Sequence, residues 1–310
     1  GSVHEHGGGH HGRSAIHMIA KSILITGGSG SFGRAFVRRL LEDGLAERIC
    51  VYSRGEHRQA EMREDLQDDP RLRWFIGDVR DAQRLKRAMQ GVDVVVHAAA
   101  LKRIEVGAYN PVEMVRTNVD GTINVIEAAQ DAGVKKVVGL SSDKACEPIS
   151  PYGASKSLAE ALLLAANNTV SAGGPRFAAC RYGNVWASNG SIIPTWRRIV
   201  ESGSNVVPVT DPDCTRFFLT LDGAVDLVLE TIETMNGGEL VVPDLPAYRV
   251  GDLAEAMGVG MVVRGLPKFE KRHELMVPGE PSDKARRMSV AELREKLAEI
   301  GFRPRIAEAA

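Results

Sequence analysis

The segment that decides the fold is Ser22-Ile23-Leu24-Ile25-Thr26-Gly27-Gly28-Ser29-Gly30-Ser31-Phe32-Gly33. Its first five residues form a short apolar, β-branched run, which is typical of a buried strand. A glycine loop follows, and a helical pattern then runs over 32–42. In such a unit the first glycine permits a tight turn, the second lets the backbone approach a pyrophosphate, and the third lets helix and strand pack closely. The loop therefore predicts a dinucleotide site at Gly27, Gly30, Ser31, Phe32 and Gly33.

Strand-like and helix-like segments alternate along the chain after this loop. Further strands are predicted over 48–52, 73–76, 92–97, 136–140 and 177–180, and further helices over 56–68, 82–90, 118–132 and 152–166. Strands separated by helices of this length indicate βαβ units and a parallel sheet. We therefore predict an α/β fold with a doubly wound, Rossmann-like parallel sheet and a smaller, mixed C-terminal lobe.

The domain organisation follows from where this alternation of strands and helices begins and ends. Residues 1–18 are rich in glycine and histidine and hold five of the eight histidines, so we interpret them as an expression tag. Residues 19–186 are predicted to form the nucleotide-binding domain and residues 187–310 the substrate-binding lobe, with 221–245 returning to the first domain. The tail over 251–300 is expected to be helical and charged, with a loop near 279–283. A ligand cleft is expected between the two units.

Composition excludes several classes of function. The 39 basic residues balance 40 acidic ones, which gives no general drive toward nucleic acid or an anionic membrane. No apolar run reaches about 18 residues, so we expect no spanning helix. The four cysteines show no CxxC spacing and few histidines lie beyond residue 18, so neither a disulfide framework nor a metal site is expected. A reducing, cytoplasmic setting is the expectation.

The end of the second strand bears on the choice of dinucleotide. An NAD site usually carries Asp or Glu there, whereas this chain has Ser53 and Arg54, with Arg58 following. A carboxylate would repel a ribose 2′-phosphate, and these residues can bind one, so we predict NADP over NAD. In the alternative interpretation both arginines only solvate a loop. Further cofactor contacts are predicted at the ends of the next strands, from Asp78, Val79, Ala98, Ala99 and Ala100.

A tyrosine and a lysine stand four residues apart after the fifth strand. Tyr152 and Lys156 share a helix face, where the nicotinamide should lie. An ammonium next to a phenol favours the phenolate, which makes the phenol a usable base, and the same lysine can hydrogen-bond a nicotinamide ribose. Ser141 and Ser142 can add hydroxyl contacts.

This combination resembles the extended short-chain dehydrogenase/reductase superfamily, in its nucleotide-sugar branch. A narrower similarity lies in Ser141-Ser142-Asp143-Lys144-Ala145 and Tyr152-Gly153-Ala154-Ser155-Lys156, and in the segments 53–56, 77–81, 98–102, 181–185, 189–194, 210–212 and 215–218. Together these resemble the inverting UDP-N-acetylglucosamine 4,6-dehydratases of the polysaccharide-biosynthesis group. Retaining sugar dehydratases typically carry Asp-Glu where this chain has Asp143-Lys144, which favours the inverting group.

The resemblance implies a reaction in which NADP is reduced and regenerated. Tyr152 would take the O4 proton as C4 is oxidised, Lys144 would remove the C5 proton, and Asp143 would help O6 leave as water. Hydride would then return to C6, giving a UDP-4-keto-6-deoxy sugar with inverted C5. A lysine base needs a lowered pKa, which we expect from burial and from Lys102 and Lys156 nearby. The acid and base assignment between Asp143 and Lys144 stays open.

The remaining predicted contacts concern the UDP-sugar. Arg216 is the candidate for the diphosphate because a guanidinium suits phosphate geometry, and an inter-lobe salt bridge is its alternative role. Further substrate contacts are predicted for Lys102, Asn184, Ser191, Thr195 and Thr210, and further cofactor contacts for Lys102, Ser141, Tyr182, Asn184 and Val185.

Two other functions stay open, and the oligomeric state is an expectation only. A UDP-sugar 4-epimerase would use the same Tyr–Lys oxidation without elimination, and a non-catalytic NADP sensor would only bind the cofactor. A homo-oligomer is expected by analogy with the resembling proteins.

Overall fold

The computed structural model describes residues 17–304. The predicted tag, residues 1–18, lies outside the described residues except for its last two. The strands are β1 (Ser22–Thr26), β2 (Arg48–Ser53), β3 (Leu72–Ile76), β4 (Val94–His97), β5 (Lys136–Leu140), β6 (Arg176–Cys180), β7 (Val206–Val209), β8 (Thr215–Phe217), β9 (Leu240–Val241), β10 (Ala247–Arg249), β11 (Gly260–Val263), β12 (Leu275–Val277) and β13 (Glu280–Pro281). The helices are α1 (Ser31–Glu42), α2 (Glu56–Asp65), α3 (Ala82–Ala88), α4 (Ile104–Tyr109), α5 (Pro111–Met114), α6 (Gly121–Ala132), α7 (Pro151–Ala165), α8 (Ile192–Glu201), α9 (Leu221–Thr234), α10 (Val250–Met257) and α11 (Val290–Glu299).

Seven strands form one parallel sheet in the order β3-β2-β1-β4-β5-β6-β9. The strand order reverses between β1 and β4, and ligands of such sheets bind at that switch point, beyond the carboxyl ends of the strands. The glycine loop leaves β1 at this end. The predicted doubly wound, Rossmann-like α/β fold is therefore confirmed.

Helices cover both faces of this sheet because its strands are apolar on both sides. Ile23 and Ile25 of β1 pack with helices α1 and α9 on one face, while Leu24 packs with α3 and α6 on the other. All three side chains are fully buried. Alternation of this kind is what a strand of period two requires when each face meets a helical layer.

The smaller lobe is built from short pairs of strands and three helices. The strand pairs are β8 with β10, β7 with β11, and β12 with β13. Helices α8, α10 and α11 contribute Trp196, Leu253 and Leu293 to its own apolar core. Helix α9 and strand β9, which come from the middle of this half of the chain, lie on and in the main sheet.

Several predicted boundaries are wrong for local reasons. Helix α2 ends at Asp65 rather than 68, because Gln67 and Asp68 adopt positive φ angles of 53° and 46°. The helix predicted from residue 118 begins earlier: α5 runs into a π-helical segment, Val115–Asp120, and then into α6. The tail predicted to be helical holds strands β11, β12 and β13 between α10 and α11. Within 17–304, none of the helices has the length and apolarity needed to span a bilayer.

Candidate active site

The glycine loop leaves its backbone open toward the switch point. Gly27 has φ +65°, and a Cβ there would lie 2.9 Å from the Cα of Ala99, so a side chain does not fit. Helix α1 begins after Gly30, which provides no side-chain cap, and its first turn carries no acidic residue. Free N–H groups at a helix start attract phosphate, so the loop fits a dinucleotide pyrophosphate. Phe32 is buried and stacks on Phe36, with ring centroids 5.5 Å apart, and Ser31 is half-buried.

The predicted 2′-phosphate residues divide between buried and exposed positions. The buried Ser53 hydroxyl accepts hydrogen bonds from Ser29 Oγ at 2.8 Å and from Gln59 Nε2 at 2.9 Å, which leaves its own proton to donate. Arg54 and Arg58 are exposed, and Arg54 Nη1 lies 4.0 Å from an Asp78 carboxylate oxygen. Gln59 was missed by the sequence prediction, since nothing in a polar helix indicates which glutamine turns inward.

The backbone that follows β4, and that lines the predicted cofactor site, is held by hydrogen bonds of hydroxyl and imidazole groups. Thr26 Oγ1 accepts from the backbone N–H of Ala98 at 3.1 Å and of Ala99 at 3.2 Å, and its own proton goes to His97 Nδ1 at 2.7 Å. Burial and the charge of Lys156 lower the pKa of His97 to about 3, so the imidazole stays neutral. Residue 97 is thus a packed strand-end residue, and half-buried Ala98, Ala99 and Ala100 line this predicted site.

At the end of β3, the Asp78 carboxylate already contacts Arg80. Asp78 Oδ1 accepts the Arg80 backbone N–H at 2.9 Å and its other oxygen lies 3.3 Å from Arg80 Nε. Val79 is buried, and its carbonyl accepts from Asn124 at 2.9 Å. These contacts hold the end of β3 in place, where the sequence predicts cofactor contacts from Asp78 and Val79.

Lys156 is buried on α7 and donates from Nζ to the Leu140 carbonyl at 2.6 Å. Burial first, and then the charge of Lys102, lower the pKa of Lys156 to about 8. Although the Lys102 side chain is exposed, the protein around its amine also lowers the Lys102 pKa. Lys102, expected to act on Lys144, therefore acts on Lys156 instead.

Below this pair lies a buried ion pair that the sequence did not reveal. Ser141 Oγ donates to Glu160 at 2.6 Å, and Glu160 is also paired with Arg181. Arg181 Nη1 in turn donates to the Met276 carbonyl at 2.7 Å. The hydroxyl of Ser141 is thus committed to this network.

Asp143 and Lys144 lie in a tight turn, Asp143–Ala145, next to α7. Ser142 caps the turn: its hydroxyl accepts from the Lys144 backbone N–H at 3.2 Å and donates to Asp143 Oδ1 at 3.1 Å. Gly153 packs directly against the Lys144 carbonyl, in space that a side chain would need. This close approach brings Tyr152 beside the turn.

Lys144 lies between two buried carboxylates. Its Nζ is 3.2 Å from Asp143 Oδ1 and 3.3 Å from Glu274 Oε1, and both carboxylates are nearly inaccessible. Burial disfavours the ammonium, but the Asp143 and Glu274 charges outweigh it and raise the pKa of Lys144 above its usual value. The predicted lowering of this pKa is therefore wrong, because the fold surrounds the amine with anions rather than with Lys102 and Lys156. Glu274 was not predicted.

Tyr152 belongs to the same cluster. Burial raises the pKa of its phenol, while Ser142 and the charge of Lys144 lower it and the two carboxylates raise it. The ammonium that acts on the phenol is thus Lys144, whereas the sequence had assigned that effect to Lys156. Tyr152, Asp143, Lys144 and Glu274 form one buried acid–base cluster.

Arg216 is buried in salt bridges inside the smaller lobe. Its Nη2 lies 2.8 Å from Glu270 Oε1, its Nη1 donates to the Arg272 carbonyl at 3.0 Å, and its Nε lies 3.9 Å from Glu274. These partners come from its own lobe, so the alternative of an inter-lobe salt bridge is wrong for Arg216. The bridge between Lys144 and Glu274 joins the lobes.

Several further residues predicted to contact the substrate or the cofactor do not join the ion pairs of this cluster. Ser191 and Thr195 donate to backbone carbonyls of their own turns, at 2.7 Å and 3.2 Å. Tyr182 is buried, and the backbone carbonyl of this residue accepts from the Asp143 N–H at 3.2 Å. Asn184 is exposed, and Val185 and Thr210 are half-buried.

Fold and site together define a class. A parallel sheet with a glycine loop after β1, and a Tyr–Lys pair on the helix after β5, are the defining parts of a short-chain dehydrogenase/reductase with a nicotinamide cofactor. The chain belongs to the polysaccharide biosynthesis protein family, which matches residues 23–292.

Two groups of curated relatives bear on the reaction. The chain is 43% identical over 264 residues to a UDP-N-acetylglucosamine 4,6-dehydratase (inverting) of Campylobacter jejuni, covering 84% of this chain and 79% of the relative. It is 40% identical over 277 residues to a UDP-glucose 4-epimerase of Rickettsia rickettsii, covering 86% and 81%. The resemblance to the inverting dehydratases is thereby confirmed.

Solved structures agree with the fold. Pen from Bacillus thuringiensis has a TM-score of 0.84 and 34% identity, covering 90% of this chain and 98% of its own. A dTDP-glucose 4,6-dehydratase from Streptomyces venezuelae, solved with NAD and TYD bound, has a TM-score of 0.72 and 24% identity, covering 93% of each chain. At that identity the second similarity concerns the fold alone.

Proposed function

We propose that this protein dehydrates UDP-N-acetylglucosamine to a UDP-4-keto-6-deoxy sugar with inversion at C5. The observation that carries the proposal is the buried cluster of Tyr152, Asp143 and Lys144, which joins a phenol suited to C4 oxidation with an acid–amine pair suited to elimination. The inverting dehydratase of Campylobacter jejuni at 43% identity supports the same chemistry.

Tyr152 takes the proton from O4 of the sugar. A nicotinamide bound beside Tyr152 and Lys156 would supply the redox chemistry, as acceptor of the C4 hydride and donor of the hydride to C6. Lys144 lowers the free energy of the phenolate, and Lys156, at the other end of the same helix turn, is placed to hold the nicotinamide ribose. Oxidation at C4 acidifies the proton on C5, which prepares the elimination.

Lys144 then removes the C5 proton. Asp143, which lies 3.2 Å from the Lys144 amine, relays that proton to O6, which leaves as water. C5 regains a proton on the opposite face, which produces the inversion. Because its pKa is raised, Lys144 must lose a proton before it can act as the base. One of the two carboxylates beside the ammonium, Asp143 or Glu274, must therefore accept that proton.

For the cofactor we propose NADP, with Arg54 as the ligand of the 2′-phosphate. The support is the exposed guanidinium of Arg54 at the end of β2, the free proton of Ser53, and the lack of an acidic residue at position 53. NADP affinity should fall in Arg54→Ala while NAD affinity stays unchanged, and Arg38→Ala, an exposed arginine of α1, is the control. Equal loss for both cofactors would contradict the assignment.

For the substrate we propose that the diphosphate binds Arg216. This guanidinium is shared between Glu270 and Glu274, so an incoming diphosphate would have to displace Glu270. Both charged partners lie on the strap of chain between β11 and β12. Because this guanidinium is buried, its binding of a diphosphate should depend only weakly on ionic strength.

We also propose that the protein acts in the cytoplasm as a homo-oligomer. The support is a run of exposed apolar residues on the α4–α5 segment and the start of the π-helical segment, namely Val106, Tyr109, Val112 and Val115. Covering such a run would remove apolar surface from water. Light scattering on the purified protein tests this, and a monomer at micromolar concentration would contradict it.

The dehydratase proposal is tested by mass spectrometry of UDP-N-acetylglucosamine after incubation with protein and NADP. We expect a product lighter by one water. The similarity to the Rickettsia rickettsii epimerase supports a second candidate, and a C4 epimer of unchanged mass would establish it. Tight cofactor binding without turnover would instead indicate a sensor.

A further inference from the structure

A strap of chain, residues 264–274, crosses from the smaller lobe to the catalytic turn. Lys271 donates to the Cys146 carbonyl beside the turn, and Arg272 Nε lies 2.7 Å from Asp211. Glu270 pairs with Arg216. Charged contacts on successive residues hold the strap in place, so its last residue, Glu274, reaches Lys144 in a fixed position.

The Glu274 carboxylate is buried and only half satisfied. Its exposure is 1%, and its Oε1 lies 3.3 Å from Lys144 Nζ. Its Oε2 is buried, and no donor among residues 17–304 reaches it. The backbone is fixed as well, because the Glu274 N–H donates to Ser282 Oγ at 2.9 Å. A buried carboxylate oxygen without a donor is costly as an anion, and a proton can sit there without breaking an existing hydrogen bond.

We propose, building on the dehydration proposed above, that Glu274 is the positioning residue that holds Lys144 in place and takes its proton before the C5 proton is removed. The transfer converts an ammonium and a carboxylate into an amine and a carboxylic acid, with no net change of charge. The free amine of Lys144 then accepts the C5 proton, and the electron pair of that C–H bond passes into the enolate of the 4-ketone.

The surroundings of Glu274 favour this transfer. Burial and the charge of Asp143 raise its pKa, against the lowering effects of Lys144 and Arg216. The titratable and charged groups around the pair come from five elements: Asp143 and Lys144 of the turn, Tyr152 of α7, Arg216 of β8, Tyr248 of β10, and Glu270 and Lys271 of the strap. A carboxylate with a raised pKa is a better proton acceptor, which lowers the cost of freeing the amine.

The test compares Glu274→Gln with Glu270→Gln, which removes a carboxylate from Arg216 but not from Lys144. The readout is the rate of deuterium loss from C5-deuterated UDP-N-acetylglucosamine, divided by the rate of C4 oxidation in the same sample. We expect a nearly flat profile between about pH 6 and about pH 9 for the wild type and Glu270→Gln, because the proton is passed internally. In Glu274→Gln, Lys144 must release its proton to solvent, so the rate should rise about tenfold per pH unit.

A purely structural role for Glu274 would lower the rate by one factor at every pH, and a flat profile in Glu274→Gln would overturn the proposal. If Glu274→Gln does not fold, Glu274→Met decides, since it also lacks the proton acceptor. A rate that rises about tenfold per pH unit supports the proposal, and a flat profile contradicts it. If the wild type releases no water, the dehydratase proposal itself fails, which is a distinct result.

Discussion

The two buried lysines of the site predict opposite effects on stability. Lys144 is held by two buried carboxylates, while Lys156 has its charge disfavoured by burial and by Lys102. We expect Lys144→Met to destabilise the protein and Lys156→Met to stabilise it at neutral pH. Methionine keeps an unbranched side chain of similar length in each case, so the comparison isolates the charge.

The magnitude for Lys144→Met follows from the charges left behind. Removing one partner of a buried ion pair typically costs about 3–5 kcal/mol. Glu274 would then sit beside Asp143 without its cation, so its folded-state pKa, already raised by burial and by the charge of Asp143, should rise further above the unfolded value. A carboxyl with a raised pKa loses stability as pH rises, at up to about 1.4 kcal/mol per pH unit. The destabilisation should therefore grow from acid toward neutral pH.

The magnitude for Lys156→Met follows from its pKa of about 8. That value lies below the unfolded one, so the penalty is full below about pH 8 and fades as pH rises to about 10.4. The penalty is about 3 kcal/mol, and the lost hydrogen bond to Leu140 offsets about 1 kcal/mol of the gain. We expect a net gain of about 2 kcal/mol near pH 7 that disappears at alkaline pH.

The assay is urea unfolding of the wild type and both variants, from mildly acid to alkaline pH. Shifts of the same sign for the two variants would contradict the expected charge effects. So would a Lys144→Met variant whose loss of stability does not change with pH, because the buried Glu274 carboxyl must titrate once its cation is gone.

Three further predictions concern the cofactor and the chemistry. Gly27→Ala should lower the free energy of unfolding by about 1–3 kcal/mol more than Gly133→Ala, as measured by thermal unfolding. Both glycines have a positive φ, but only at Gly27 would an added Cβ meet backbone atoms, those of Ala99. Equal losses for the two variants would contradict this close approach. Tyr152→Phe should lower kcat by at least about 100-fold while cofactor affinity, measured by fluorescence titration, stays near the wild-type value. For Arg54→Ala we expect a KM for NADP that rises about tenfold, and an unchanged value would leave Arg54 as a solvated loop residue.

The fold could be predicted because its signals are local. The strand run of β1 and the glycine loop lie within twelve consecutive residues, and the Tyr152–Lys156 spacing needs only the period of a helix. The strands of the smaller lobe were missed because β11, β12 and β13 are two to four residues long, which is too short for any period to show.

The acid–base cluster could be predicted only in part. Asp143 and Lys144 are neighbours in the chain, but Glu274 reaches them from the other lobe through a fold-dependent contact. The sign of the Lys144 pKa shift depends on which charges the fold brings close. The sequence analysis expected the cations of Lys102 and Lys156 beside Lys144, and the strap instead supplies an anion.

In the proposed reaction, oxidation at C4 leads to loss of water across C5 and C6. NMR of the product formed from UDP-N-acetylglucosamine in deuterated water tests this step. We expect a 6-deoxy-4-keto sugar with inverted C5 that carries one deuterium at C5. A product that keeps its C6 hydroxyl and has no deuterium at C5 would contradict it.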